Sequence, residues 1–514
     1  MKKAKGLLRT TSLVSINTFL SRTIGFAREI VFAHFFGATG GFDSFVVAFR
    51  IPNLLRGFFA EGAFSQAFVP VLSQYRHKQS PEVTKKFIDN ILGSLGSVLI
   101  FVTILGVLLA PLIITVFAPG FAHHGERFDL SVSMLRITFP YVLFISLTAL
   151  CGAILNTYDL FGIPSFTPVL LNVVLILSAI IAAPFFHIPV YALAWGVFFA
   201  GIIQLIFQLP FLQKQNLLPR PKINFVDKGV LRVLKLMVPA IFGVSVTQIN
   251  ILINNAFASF LKVGSLSWLY YSDRLMNFPL GVFAVAIATV ILPKLAKHHA
   301  TNNHDEYSKT LDWSLRLLLL IGIPSTIGLF ILSGPLLSTL LQSGQFGIYD
   351  VLMAQQSLMA YAVGVQAFML VKVLASSFYA KQDIKTPVKI AIIAMFSNII
   401  LNFIFIKPLA HAGLALATST AAFINCGLLI LLLKKNKLYK TNITWSKFFL
   451  QLIFANILVI IFLFFFTPKI EDWFVAARFW RIYHLSFLLI ISMLLYCVGL
   501  FISGVRLKNL RISP

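Results

Sequence analysis

The sequence predicts an all-α polytopic membrane protein with fourteen transmembrane helices. Three observations carry that expectation. Of 514 residues, 58% are hydrophobic and only 11% charged, with a mean hydropathy of +0.88; a soluble domain usually carries about 25% charged residues. The apolar runs are long and do not alternate, against the period-two pattern of an outer-membrane barrel, and fourteen spans of about 20 residues would use roughly the apolar share of the chain. Finally, 42 Lys and Arg against 17 Asp and Glu give a net charge of +25. These basic residues gather in the breaks between apolar runs, as they do in cytoplasmic loops, so nucleic acid is not expected as a partner.

The spans follow from those breaks. The first, 11–37, comes after the basic stretch MKKAKGLLR; interrupted by Arg22 and Arg28 and lacking a small-residue cleavage site, it reads as an uncleaved span. The second, 42–74, ends before Arg76 and Lys78. Spans 88–118 and 131–157 flank the loop that carries Arg127, and 160–185 and 188–212 lead into the polar segment 213–230 (QKQNLLPRPKINFVDKG). Spans 231–261 and 266–297 part at Lys262. The next, 311–341, follows the polar loop 298–310, and 351–380 ends at Lys381. Spans 387–407 and 411–433 divide after Lys407. The last two, 447–467 and 482–504, enclose Lys469, Arg478 and Arg481.

With the N-terminus in the cytoplasm, about 28 basic residues fall inside and about 6 outside: Arg127, Lys262, Lys407, Lys469, Arg478 and Arg481. An even number of spans with both termini inside produces that asymmetry. Segment 213–230 then separates an N-terminal lobe, 1–212, from a C-terminal lobe, 231–435, with two further helices in 436–514. FRIPNLLRGFF…VPVL in the second span is echoed by DRLMNFPLGVF…ILPKL in the eighth, as in transporters built from repeats; the alternative is two helices that share proline kinks. Cys151, Cys426 and Cys497 lie in apolar runs and are odd in number, so no disulfide framework is implied.

Eight basic residues remain within spans: Arg22, Arg28, Arg50, Arg56, Arg136, Arg274, Arg316 and Lys372. Arg136 and Arg316 fall within a turn or two of span ends and are expected to snorkel; the role of Lys372 is open. An Arg at a helix centre costs about 2.5–3.5 kcal/mol, so four facing lipid would cost on the order of 10 kcal/mol, comparable with the whole stability of a domain. The remaining five must therefore face protein or water. One reading pairs them with Glu29, Asp43, Glu61 and Asp273 as ion pairs that staple the bundle. The other is an anion site. All five are Arg and none is Lys, and the planar guanidinium fork grips phosphate oxygens bidentately where an ammonium acts as a point charge. That choice favours phosphate or diphosphate. Gly25, Pro52 and Pro279 are candidate bend points.

No phosphate-binding loop, zinc-protease helix or serine-nucleophile elbow is present. His298, His299 and His304 share a loop with acids, a pattern more typical of a solvated loop than of a metal site. No cofactor is expected, so transport would draw on an ion gradient, the membrane potential or substrate supply.

Segments 21–28 (SRTIGFAR), 43–70 (DSFVVAFRIPNLLRGFFAEGAFSQAFVP), 148–156 (TALCGAILN), 267–279 (SWLYYSDRLMNFP) and 381–389 (KQDIKTPVK) resemble the MurJ/MviN family of bacterial lipid II flippases, within the multidrug/oligosaccharidyl-lipid/polysaccharide exporter superfamily. The resemblance runs through nearly the whole chain. It implies a fourteen-helix inner-membrane transporter with two six-helix lobes around a central cationic cavity, and a groove for the lipid tail along the last two helices. The implied substrate is the undecaprenyl-diphosphate-linked peptidoglycan precursor. Membrane lipids are the other implied partners, and proteins of peptidoglycan synthesis are candidates. Family arginines map onto Arg22, Arg28, Arg56 and Arg274, and motif acids onto Asp43 and Glu61, with Arg50 and Asp273 secondary. A sodium site proposed in some members maps onto Asn254, Asn398, Asn402 and Thr418, none of them a carboxylate. A flippase for another undecaprenyl-linked glycan, an exporter of the same superfamily and a membrane enzyme acting on prenyl phosphates are the rival readings.

Overall fold

Backbone that must satisfy its polar groups without water folds as helix. The computed structural model describes residues 2–57, 63–123, 125–439 and 445–506, and contains no β-strand among them. Ten helical segments among the described residues are long and apolar enough to cross a membrane. The chain is thus an all-α polytopic membrane protein. It divides into two compact units, Met1–Ser267 and Trp268–Pro514.

The first unit comprises α1 (Lys2–Phe36), α2 (Gly40–Arg56), α3 (Ala63–Lys78), α4 (Pro81–Leu108), α5 (Ala110–Phe117), α6 (Gly125–Thr138), α7 (Tyr141–Thr157), α8 (Gly162–Leu177), α9 (Tyr191–Lys214) and α10 (Lys228–Ser259). Neither α1, with its lysines and arginines, nor the 17-residue α2 is among the ten apolar segments. Helix α1 packs on α8, α2 on α6, α7 on α9 and α3 on α10. Phe32, Phe42 and Phe45 meet edge to face at 5.9 and 6.1 Å where α1 and α2 join.

Helix α6 starts at Gly125, its polar first turn carrying Glu126, where a carboxylate favours the helix N-terminus. Arg136 lies in the last turn of this helix, near its end as expected, and its side chain is exposed. The segment 213–230 is more than a connector. Asp89 of α4 accepts the Arg220 N–H at 2.7 Å through its carboxylate and the Lys222 N–H at 3.1 Å through its backbone carbonyl. Ser94 takes the Asn224 N–H at 3.1 Å, and Lys85 donates to the Leu218 carbonyl at 2.6 Å. A Cβ at Gly93 would lie 2.3 Å from the Lys222 backbone, so only glycine lets this strap lie against α4. Asp227, which caps α10, also accepts from Asn90 at 3.2 Å.

The second unit continues from α11 (Ser265–Pro279), which crosses the division, through a π-turn at Leu280–Ala284 into α12 (Val285–Ala300). Then follow α13 (His304–Ile331), α14 (Ser333–Leu340), α15 (Ile348–Tyr379), α16 (Lys385–Lys435), α17 (Trp445–Phe466), the short α18 (Ile470–Val475) and α19 (Arg478–Ile502). A straight 51-residue helix would run about 76 Å, far beyond a bilayer core of about 30 Å. The chain instead turns inside α16 at Ala410, whose φ of 47° and ψ of −125° are not helical. That turn lies between the two spans expected at 387–407 and 411–433. The returning arm comes so close that a Cβ at Gly413 would lie 2.2 Å from the Phe405 carbonyl oxygen.

Arg316 does not snorkel. Its guanidinium pairs with Asp312 at 2.8 Å and stacks on Trp445 and Phe448 at 5.0 and 5.4 Å. Asp312 also accepts from Tyr439 at 2.8 Å and Trp445 at 2.6 Å, docking the start of α17 onto α13. Burial, with the Asp312 carboxylate beside it, pushes the Tyr439 phenol above its ordinary pKa.

At the other end of the α17–α19 hairpin, Trp473, Leu332, Val459 and Leu463 form a buried cluster. Arg481 fastens it, donating to the carbonyls of Ala476, Ser338 and Phe474 at 2.9, 3.1 and 3.0 Å. Arg481→Ala takes this donor from the buried Ser338 carbonyl and the partly buried Ala476 carbonyl, at about 1 kcal/mol each, while the Phe474 carbonyl keeps Gln342 at 3.1 Å. It should lower the unfolding temperature and speed hydrogen exchange in α17 and α19. Arg478→Ala, at an exposed side chain, should do neither; equal behaviour of the two variants would count against this fastening role.

Candidate functional site

The intramembrane arginines do not share one environment. In the first unit Arg28 is 8% exposed on α1. Its guanidinium donates to Asn172 of α8 at 2.9 Å and to the adjacent Glu29, and lies over Phe32 at 5.4 Å. A carboxylate, an amide and an aromatic face thus fix the orientation of its fork. Asn172 is itself held, donating to the Ser21 carbonyl at 3.1 Å, and Gly25 leaves room for it, since a Cβ there would lie 3.2 Å from the Asn172 amide nitrogen. Gly25 therefore serves close packing within an unbroken α1. Arg22, nearly two turns earlier, is exposed.

Arg50 of α2 is half-buried and donates to Asn255, a buried residue of α10. Arg56, at the end of the same helix, donates to Asn53 at 2.9 Å, the spacing of one helical turn. It also lines a chamber of about 320 Å³ with Thr148, Asn156, Gln204 and Gln208. The two glutamines are anchored on Thr167: Gln204 donates to its carbonyl at 2.9 Å and Gln208 to its hydroxyl at 3.1 Å. The arginine thus opens onto a chamber whose mainly apolar wall carries these few polar groups.

Asp43 is fully buried in the first turn of α2. Its carboxylate accepts the Gly264 N–H at 2.7 Å and both the N–H and the hydroxyl of Ser267 at 2.9 and 2.5 Å. It therefore ties the loop before α11 to the head of α2. Glu61 lies outside the described residues.

In the second unit Arg274 is exposed on α11 and stacks over Tyr270 at 4.9 Å. Asp273 beside it is half-buried, and its carbonyl accepts from Asn277 at 2.9 Å. Lys372 is exposed on α15.

Asn398, Asn402 and Thr418 come together across the two arms of α16. Asn402 donates to Asn398 at 3.2 Å, Asn398 to Thr418 at 3.3 Å, and Thr418 to the Leu414 carbonyl at 2.9 Å. Both asparagines are fully buried. Hard cations are held by several oxygens, usually with carboxylates among them. A trio without a carboxylate that donates along its own chain does not fit that chemistry and suits the joining of two helix arms. Asn254 belongs to the first unit. No group of three His, Cys, Asp or Glu side chains placed to hold a metal ion occurs among the described residues.

The partners Asn172 and Asn255 are not evident from sequence; the one visible signal is a lone amide inside an apolar run, as in LLNVVLIL.

Fold and site together define a class: a polytopic helical membrane transporter with guanidiniums set into its helices. The family described as "Lipid II flippase MurJ" matches residues 32–484. The chain belongs to the MurJ family of lipid II flippases. It is 43% identical over 506 residues to a probable lipid II flippase MurJ of Haemophilus influenzae, covering 96% of this chain and 99% of that one. With its counterpart in Vibrio cholerae the identity is 44% over 515 residues, covering 99% and 98%. A solved structure of lipid II flippase MurJ in an inward closed conformation superposes with a TM-score of 0.79 at 30% identity, covering 95% of this chain and 97% of that one. An inward-facing multidrug resistance MATE transporter of the MOP superfamily shares the fold, with a TM-score of 0.66 at 12% identity over 81% of this chain and 95% of that one.

Proposed function

We propose that the chain moves lipid II from the cytoplasmic to the periplasmic leaflet of the inner membrane by alternating access, for peptidoglycan synthesis. It would do so with fourteen spans and both termini in the cytoplasm, the lobes being 1–212 and 231–435. The observation that carries this reading is the set of arginines, with no lysine among the five, built into the helices of a chain from the lipid II flippase family. Arg22, Arg28, Arg56 and Arg274 bind the diphosphate, with Arg50 and Asp273 in supporting roles. Glu29 and Asn172 keep Arg28 aimed while the site is empty. The amide and hydroxyl groups in the chamber beside Arg56 give hydrated headgroup atoms a place in the first unit, and the prenyl tail stays in lipid along the last two helices.

This is transport rather than catalysis, and no step is assigned to a bound cation. Because the strap is pinned to α4, residues 217–227 move with the first unit. The bend is assigned instead to Pro279 and the π-turn after it, where the regular hydrogen-bond ladder is already interrupted.

The test is transfer of fluorescently labelled lipid II across vesicles that contain the purified protein. Label should become accessible on the far leaflet at a rate that rises with protein content and falls in the arginine variants. Transfer equal to that of protein-free vesicles would overturn the proposal. Transfer of other undecaprenyl-linked glycans with exclusion of lipid II would reassign the substrate.

A further inference from the structure

Three loops of the first unit, before α2, before α6 and after α10, line an open cavity of about 910 Å³. In the proposed topology these loops face the periplasm. That face is poor in basic residues, yet two of its six, Arg127 and Lys262, line this one cavity. Arg127 is only 8% exposed. Its stem passes Gly40, where a Cβ would lie 3.6 Å away, and its guanidinium lies over Phe121 at 4.7 Å. Among the described residues that guanidinium makes no hydrogen bond or ion pair. The buried carboxylate of Asp43 attracts it electrostatically but spends its hydrogen bonds on Gly264 and Ser267.

A guanidinium held over an aromatic ring spends none of its N–H donors on that contact, so they remain for an acceptor. Leaving such a group buried without an acceptor is costly. The first residues of two helices, Gly40 with Gly41 and Gly125, line the same cavity. Helix N-termini favour anions and offer backbone N–H groups to them. Glu126 is the one opposing charge on the wall, and its side chain is exposed.

We infer that this cavity is a phosphate-group site on the outer face, separate from the intramembrane arginines, with Arg127 and Lys262 as its cationic ligands. The inference rests on the proposed function for its orientation. Two sources share the chemistry: the diphosphate of the lipid arriving at the outer leaflet, and the headgroup of an anionic phospholipid.

The test follows one reporter cysteine in the full-length protein. Val263 lines the cavity at 51% exposure, and Cys497 is the exposed native thiol, so Val263→Cys is placed in a Cys497→Ser background. The protein is set in phosphatidylcholine vesicles and labelled with a charged maleimide. Inorganic pyrophosphate should slow labelling roughly tenfold, as charge-assisted contacts allow, and sodium chloride of equal ionic strength should not. Arg127→Gln and Lys262→Gln should each remove most of that protection, and Glu126→Gln should increase it. Lys262 is exposed, so its variant remains informative even if Arg127→Gln does not fold.

Vesicles doped with phosphatidylglycerol, or with lipid II, then separate the sources: the dopant that slows labelling without pyrophosphate is the occupant. Unchanged labelling in every condition, by protein that still transfers lipid II, overturns the outer site alone. Failure of the unsubstituted protein to transfer lipid II sinks the parent reading instead.

Discussion

Alanine in place of Arg274 abolishes growth of a strain that depends on this protein, while the variant accumulates in the membrane at the normal level. The side chain is exposed and rests on the face of Tyr270, so truncation removes little packing. What it removes is a permanent charge on α11 and a fork able to hold two phosphate oxygens. Two charge-assisted hydrogen bonds of about 1.5 kcal/mol each correspond to roughly a hundredfold loss of affinity. Lysine at the same place keeps the charge and loses the fork, and should restore growth only in part.

Arg28→Ala ends growth for a second reason as well. Glu29, 3% exposed, loses its cation, and breaking a buried pair on one side costs about 3–5 kcal/mol. Its membrane level therefore falls, and the double variant Arg28→Ala, Glu29→Gln recovers level without recovering growth. Immunoblots of membranes beside the complementation assay read both effects. Normal growth with Arg274→Ala would remove this residue from the site, and normal growth with each of the Arg22, Arg28, Arg56 and Arg274 variants would remove the site itself.

The outline of the helices was legible because hydrocarbon imposes it: runs between charged breaks must be helical and must be about as long as the bilayer is thick. The break after Lys407 could be seen for that reason, and the turn at Ala410 falls beside it. The arginines were legible through their insertion cost, which needs no neighbour to be known. Their partners were not. Asn172 is 144 residues from Arg28, and Asn255 is 205 from Arg50; nothing in local composition joins residues that only packing brings together.

What the sequence hides has the same origin. Segment 213–230 looks like loose linker because its anchoring uses backbone N–H groups, which every residue but proline carries. Only the acceptors Asp89 and Ser94 are specific, and they lie in another helix. Acids near arginines invite ion-pair assignments too, yet Asp43 spends both oxygens on a loop.

That use of Asp43 separates two roles that sequence alone cannot. If the carboxylate acts by holding the loop before α11, Asp43→Ala strands the Gly264 and Ser267 N–H groups and the Ser267 hydroxyl in a fully buried place. Each unmet donor costs about 1–3 kcal/mol, so the loss is on the order of 3–5 kcal/mol, a large part of a typical stability of about 5–15 kcal/mol. The unfolding temperature in detergent and the membrane level should both fall sharply. Asparagine keeps one acceptor oxygen but sets its own N–H₂ against a donor, so Asp43→Asn should fall between alanine and the unsubstituted protein. Ser267→Ala, which removes a single hydroxyl, should cost about 1 kcal/mol. Transport per folded molecule should stay close to normal in Ser267→Ala, because that residue only positions the loop. A role at the substrate gives the opposite pattern: Asp43→Ala would unfold at the normal temperature and reach the membrane in full, yet move no lipid II. Thermal unfolding measured beside vesicle transfer decides between the two, and the second outcome would return Asp43 to the diphosphate site.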